Sequence, residues 1–195
     1  MARKPRLHLP GGLYHVFLRG NGRQNVFFIP AGRASLLDLF TQGVVRFGYR
    51  VHAFCLMTNH LHLALQAGEQ GLSQGMQNLS FRYTRYLNTC LKRSGHVFQG
   101  RFKAYLVEQD AYGLELERYI HLNPVRARMV KVLEAYRWSS HRAYLCEQFL
   151  PWLTTRLGAG AVRHEHGHSA QASYCVRDGR QGRGAFAALL RRPVR

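Results

Sequence analysis

Every second residue of His60-Leu61-His62-Leu63-Ala64-Leu65 is a leucine. Residues two apart share a face only on an extended strand. The alternation therefore commits this stretch to a strand, with Leu61 and Leu63 turned into a core and His60 and His62 side by side on the other face. Val51 to Met57 reads as a second strand, and Asn59 marks the turn that closes the two into a hairpin. Two imidazoles held together on a strand are half of a metal site. They are also what an ordinary polar sheet face would carry, and the pair alone does not choose.

Around this hairpin the chain alternates its periods. Leu13 to Leu18 is rich in aromatic and β-branched residues and reads as a strand, followed by the basic loop Arg19-Gly20-Asn21-Gly22-Arg23. Pro30 opens a helix with Leu36, Leu37, Leu39, Phe40, Val44 and Val45 at helical spacing, and Gly48 stops it. After the hairpin, Leu72, Met76, Leu79, Tyr83, Tyr86 and Cys90 form one apolar stripe on a long helix that Gly95 ends. Arg101 to Val107 reads as a strand. A helix from about Tyr112 to Leu122 follows, with Leu114, Tyr119 and Leu122 as inner positions. Asn123-Pro124 is expected to break or bend it, because the residue before proline disfavours helical geometry. The order β-α-β-β-α-β-α predicts an α+β fold, a ferredoxin-like split βαβ with an antiparallel sheet and helices on one face.

The 195 residues suit one domain with an appendage, and 46% hydrophobic content supplies a core. Residues 1–11 form a basic arm, 12–145 the domain, and 146–195 a basic tail rich in Gly, Arg and His. Within the tail, 156–184 reads as loose and Ala185 to Leu190 as a short helix. His164-Glu165-His166-Gly167-His168 there binds metal at most adventitiously. Lys and Arg number 28 against 10 Asp and Glu, a net charge of +18. Such an imbalance works against compaction, and a polyanion, nucleic acid above all, is the partner that offsets it. No run of 18 apolar residues occurs and the N-terminus does not read as a signal peptide. Cys55, Cys90, Cys146 and Cys175 form no C-x-x-C pair, which fits a reducing cytoplasm better than disulfides or a zinc knuckle.

Four stretches then fall in order: Met57-Thr58-Asn59-His60-Leu61-His62, Phe98-Gln99-Gly100-Arg101-Phe102-Lys103, Arg118-Tyr119-Ile120-His121-Leu122-Asn123-Pro124-Val125-Arg126-Ala127, and Tyr136-Arg137-Trp138-Ser139-Ser140. The first resembles the His-hydrophobic-His motif of HUH enzymes. Together they resemble the single-tyrosine HUH transposases, in particular the REP-associated tyrosine transposases, over about residues 8 to 145. The resemblance implies cleavage and rejoining of single-stranded DNA beside hairpin-forming palindromic repeats, through a 5′-phosphotyrosine and a free 3′-hydroxyl. It also implies a divalent metal, Mg²⁺ or Mn²⁺, a monomer or homodimer, and no membrane.

By that resemblance Tyr119 is the nucleophile; periodicity alone would make it a core aromatic, and Tyr83, Tyr105 and Tyr112 are rivals. A phenol has a pKa near 10 and needs local activation to attack. His60 and His62 are the expected metal ligands. Asn123, four residues after Tyr119, is the third by resemblance, while turn chemistry before Pro124 is its plainer reading. His121, two residues from Tyr119, faces away from it. For DNA contact the candidates are Arg3, Lys4 and Arg6 in the arm, Arg19, Arg23, Arg101 and Lys103 near strand ends, and Arg82 and Arg85. The last two are interleaved with Phe81, Tyr83 and Tyr86, a mixture suited to phosphate contact and base stacking. Two other readings are a repeat-hairpin-binding protein without catalysis on the same fold, and an RNA binder using an antiparallel sheet, which would want exposed aromatics on its central strands.

Overall fold

The computed structural model describes residues 8–107 and 110–155. Arg3, Lys4 and Arg6, the tail histidines and the expected terminal helix lie outside them. Four strands, β1 (Leu13–Arg19), β2 (Arg50–Leu56), β3 (His60–Gln66) and β4 (Lys103–Val107), form one sheet in the order β2-β3-β1-β4. Every pairing is antiparallel. Helices α1 (Pro30–Phe47) and α2 (Leu72–Cys90) join β1 to β2 and β3 to β4. This is the expected α+β arrangement with a split βαβ order.

Alternation along the strands divides the sheet into two unlike faces. Tyr14, Val16 and Leu18 of β1, Phe54 and Leu56 of β2, and Leu61, Leu63 and Leu65 of β3 are buried in the cluster that α1 and α2 cover. At about 1.5–3 kcal/mol for each large apolar side chain removed from water, this layer supplies most of the driving force for folding. α1 contributes Leu36, Leu39 and Phe40, while Val45 is 84% exposed and not an inner position. α2 contributes Leu72, Met76, Leu79, Tyr83 and Leu87; its stripe veers to Leu87 and leaves Cys90 exposed. Gly48 ends α1 as expected, with φ 65° and its N–H bonded to Val44 O.

The expected single helical layer holds for α1 and α2 only. The third helix, α3 (Asp110–Arg126), lies on the opposite face, where Leu116 and Ile120 pack on Ala53, Cys55, Met57 and Ala64. The cause lies in β2: Val51 to Met57 is apolar on both faces, which a strand with one solvated face would not be. The second face, built from small residues, lets a helix approach closely. Leu114, expected inside, is 57% exposed, because the inner stripe runs through Leu116 and Ile120 instead.

Nor does Pro124 end the helix, which continues to Arg126. Proline removes the N–H that would bond Ile120 O. Asn123 compensates: its Nδ2 donates to Tyr119 O at 2.8 Å and to Ile120 O at 3.3 Å. Beyond α3, the Tyr136 to Ser140 stretch covers the free edge of β2. Leu56 N–H bonds Trp138 O, Phe54 N–H bonds Ser140 Oγ, and Tyr136 Oη donates to Leu56 O at 2.6 Å. A short helix, α4 (His141–Tyr144), follows. Past residue 145, Trp152 still packs on Phe40 and Phe54, and Thr154 N–H bonds Val51 O, so the packed unit extends beyond the expected boundary.

Candidate active site

The face opposite α1 and α2 carries His15, Phe17 and Arg19 on β1, His60 and His62 on β3, and Lys103 and Tyr105 on β4. Register fixes them as neighbours: Arg19 lies opposite His60, Phe17 opposite both His62 and Lys103, and His15 opposite Tyr105. The rings of His60 and His62 stand edge to face with centroids 5.0 Å apart, as the alternation predicts. Phe17 packs against both, at 5.4 and 4.9 Å.

α3 brings Tyr119 onto this pair. Its ring stands edge-on to His62 at 5.6 Å and to His15 at 5.7 Å. Because α3 persists through Pro124, Tyr119 and Asn123 share a helix face as their spacing requires. Burial pushes the Tyr119 phenol above its ordinary pKa, and Arg126, whose Cζ lies 5.4 Å from the ring centroid, pulls it back. At neutral pH the group is a phenol, not a phenolate. Tyr105 shares the site face but stands off from the histidine pair, 6.1 Å from His15. Tyr83 is buried on the other layer, donating to Val26 O at 3.0 Å, which removes it as a nucleophile and as a stacking platform. Tyr112 is half-buried near the start of α3.

Each imidazole of the pair has its Nδ1 engaged. His60 Nδ1 lies 2.7 Å from Asn59 Oδ1, and His62 Nδ1 lies 2.9 Å from His15 Nε2. Neither Nε2 takes part in a hydrogen bond among the described residues. Burial, reinforced by Arg19, holds His60 down to about 4. His62 is held well below its ordinary value by burial and by the neighbouring His15, His60 and Arg19. Both are neutral at pH 7, the form that can ligate. Among the described residues no third His, Cys, Asp or Glu joins them, so a further protein ligand has to be of another kind. Asn123 is of that kind. Its Nδ2 is committed to the helix, which leaves Oδ1 as the atom that could ligate. Two imidazoles and an amide oxygen fit a metal bound with open positions, unlike a closed structural zinc site.

His15 was not singled out from the sequence. It is one of eleven histidines and belongs to no spacing motif; only the pairing of β1 with β3 puts it against His62. His121 faces away from Tyr119, as expected. Its Nε2 lies 2.7 Å from Ser140 Oγ, in a buried cluster with His141 and Tyr144. The basic candidates divide. Arg19 and Lys103 flank the histidine pair. Arg23 is tied to the same end of the sheet by Asn59 Nδ2, which bonds its carbonyl, and exposed Arg101 lies two residues before the start of β4. Arg82 and Arg85 belong to α2, on the other layer. There Arg85, exposed Phe81 and Arg93 line a shallow cleft of about 410 Å³.

The family model described as "Transposase IS200 like" matches residues 10–123, which include β1, the histidine pair, Tyr119 and Asn123. A solved structure of a REP-associated tyrosine transposase bound to a REP hairpin is 17% identical, covering 87% of this chain and all of its own, with a TM-score of 0.63. A protein from Deinococcus radiodurans, also 17% identical, covers 61% of this chain and 95% of its own with a TM-score of 0.42. No curated protein matches. No helix among the described residues is long and apolar enough to cross a membrane.

Proposed function

For a chain that belongs to the IS200-like transposase family, we propose metal-dependent cleavage and rejoining of single-stranded DNA beside a hairpin-forming repeat, with Tyr119 as the nucleophile. The observation that carries this reading is the placement of Tyr119, from a separate helix, edge-on against His62 at 5.6 Å. The hairpin in the similar solved structure and the net charge of +18 support a DNA hairpin as partner.

In this reading Tyr119 Oη attacks the scissile phosphorus and loses its proton to solvent. The bond to the 3′-oxygen breaks and that oxygen takes a proton from solvent, leaving a 5′-phosphotyrosine and a free 3′-hydroxyl; the reverse attack by a 3′-hydroxyl rejoins strands without ATP. His60 Nε2, His62 Nε2 and Asn123 Oδ1 would hold Mg²⁺ or Mn²⁺, which when bound would polarise the phosphate and offset its developing charge. Arg126 favours the phenolate through its position over the Tyr119 ring. Arg19, Arg23, Arg101 and Lys103 border the site and contact the phosphates flanking the cut. Arg82 and Arg85, on the far layer, contact DNA only where it extends past the site.

The test is a labelled hairpin with single-stranded flanks, incubated with the protein and Mn²⁺ or Mg²⁺ and resolved on a denaturing gel. A covalent protein–DNA band that disappears in Tyr119→Phe and in EDTA is the expected result. Tight hairpin binding with no band under either metal assigns the chain to non-cleaving hairpin recognition instead.

A further inference from the structure

We propose that His15 is a positioning residue that fixes the tautomer of His62 and thereby sets the metal affinity of the site. The inference rests on His60 and His62 being metal ligands, and it adds a residue outside the HUH motif. A neutral imidazole carries one N–H, and the partner of one ring nitrogen decides which nitrogen keeps its lone pair. His62 Nδ1 and His15 Nε2 are 2.9 Å apart and both residues are buried. One of the two nitrogens must donate. If His15 donates, His62 carries its proton on Nε2 and cannot ligate there. If His62 donates, its Nε2 lone pair faces outward for the metal, and His15 carries its proton on Nδ1.

The surroundings hold the pair in register. The two rings stack with centroids 5.2 Å apart and planes 17° from parallel, Phe17 lies 4.9 Å from the His62 ring, and Tyr119 stands edge-on to both. His15 Nδ1 is buried with no partner among the described residues, so the state in which His62 donates leaves an unpaired N–H there and is favoured when a metal takes the His62 Nε2 lone pair. The His62 contact is thus the one hydrogen bond of the His15 ring among the described residues, and it is spent on a metal ligand. His60 differs: the partner of its Nδ1 is the amide oxygen of Asn59, which only accepts, so its tautomer is settled locally. His62 is the ligand whose proton position depends on a distant part of the chain. Outer partners of this kind typically change metal affinity 10- to 100-fold when removed.

The full chain, free of DNA, serves for the test, with two readouts independent of cleavage. Two-bond ¹H–¹⁵N correlation spectra report the tautomer of His62, and electron paramagnetic resonance of free Mn²⁺ reports Kd. His15→Phe keeps an aromatic ring in the stack and removes the acceptor; His15→Gln restores a side-chain oxygen. Wild type with diamagnetic Mg²⁺ bound is expected to carry the His62 proton on Nδ1. His15→Phe leaves the His62 Nδ1–H without its acceptor and is expected to raise the Mn²⁺ Kd about 10- to 100-fold, with His15→Gln returning most of the loss. A wild-type His62 protonated on Nε2 in the Mg²⁺-bound protein overturns the proposal. So does a His15→Phe variant with unchanged Kd, or equal losses in both variants accompanied only by a lower Tm. Mn²⁺ binding that survives His60→Ala and His62→Ala overturns the metal reading instead, and the tautomer of His62 then still judges the role of His15.

Discussion

At the scale of single residues, Tyr119 shows how one side chain can be held back and then released. Its burial among His15, His62 and α3 raises the phenol pKa, while the guanidinium of Arg126 lowers it. Removing Arg126 therefore takes away the stabilisation of the phenolate and raises the pKa further. Arg126→Ala is expected to slow formation of the covalent adduct at neutral pH by about tenfold, the equivalent of about 1.4 kcal/mol of lost stabilisation. The alkaline limb of its pH–rate profile should move to higher pH. Single-turnover rates across pH 6–10 check both; an unchanged profile denies Arg126 this role.

At the scale of elements, α3 is held together by the residue that is also a candidate ligand. Asn123 donates to the carbonyls of Tyr119 and Ile120, the second of which Pro124 leaves without its usual N–H. Asn123→Ala should therefore destabilise the protein by about 1 kcal/mol even without metal, the usual net contribution of a hydrogen bond. Pro124→Ala supplies the missing N–H to Ile120 O, so it should stabilise and also blunt the effect of Asn123→Ala. Urea denaturation of the two single variants and the double variant closes the cycle, and strict additivity would mean that the two residues act independently. The sequence gives Tyr119 and Asn123 their spacing. It does not reveal that the helix survives the proline, because the compensation is a side-chain bond that no propensity rule anticipates. The same holds for Tyr136 to Ser140, whose order is visible as a motif while its role, covering the edge of β2, depends on pairing across the fold.

For the molecule as a whole, burying so many histidines makes stability depend on pH. Burial holds His15 and His60 down to about 4 and His121, beside His141, to about 3, and it lowers His52 and His62 as well. Below an ordinary histidine pKa of about 6.5 the unfolded chain takes up protons that the fold refuses. The histidine contribution to stability is therefore full above about pH 6.5 and falls as pH drops toward 4. Glu117 acts in the opposite direction. Buried and bonded by Tyr144 Oη at 2.7 Å, it is pushed up to about 7, so its contribution is lost as pH rises from its ordinary 4.5 to about 7. Glu117→Gln should accordingly raise Tm by a few degrees at pH 8 and leave it unchanged at pH 4. Thermal melts from pH 4 to 8 check the acid-side loss and the Glu117 contribution together. An acid limb absent above pH 4 contradicts the histidine account.

The sequence by itself determined the strand that holds His60 and His62, the α+β element order, the basic charge and the spacing of Tyr119 and Asn123. Those are local patterns, and periods of two and 3.6 residues write them directly into the chain. Only the tertiary structure decided that α3 crosses to the second face of the sheet, that this face is the one bearing the histidines, and that His15 stands against His62. Each of these depends on contacts between residues far apart in the chain: β1 with β3, and α3 with the small side chains of β2 and β3. Burial against those partners selects such contacts, and a one-dimensional pattern does not record it.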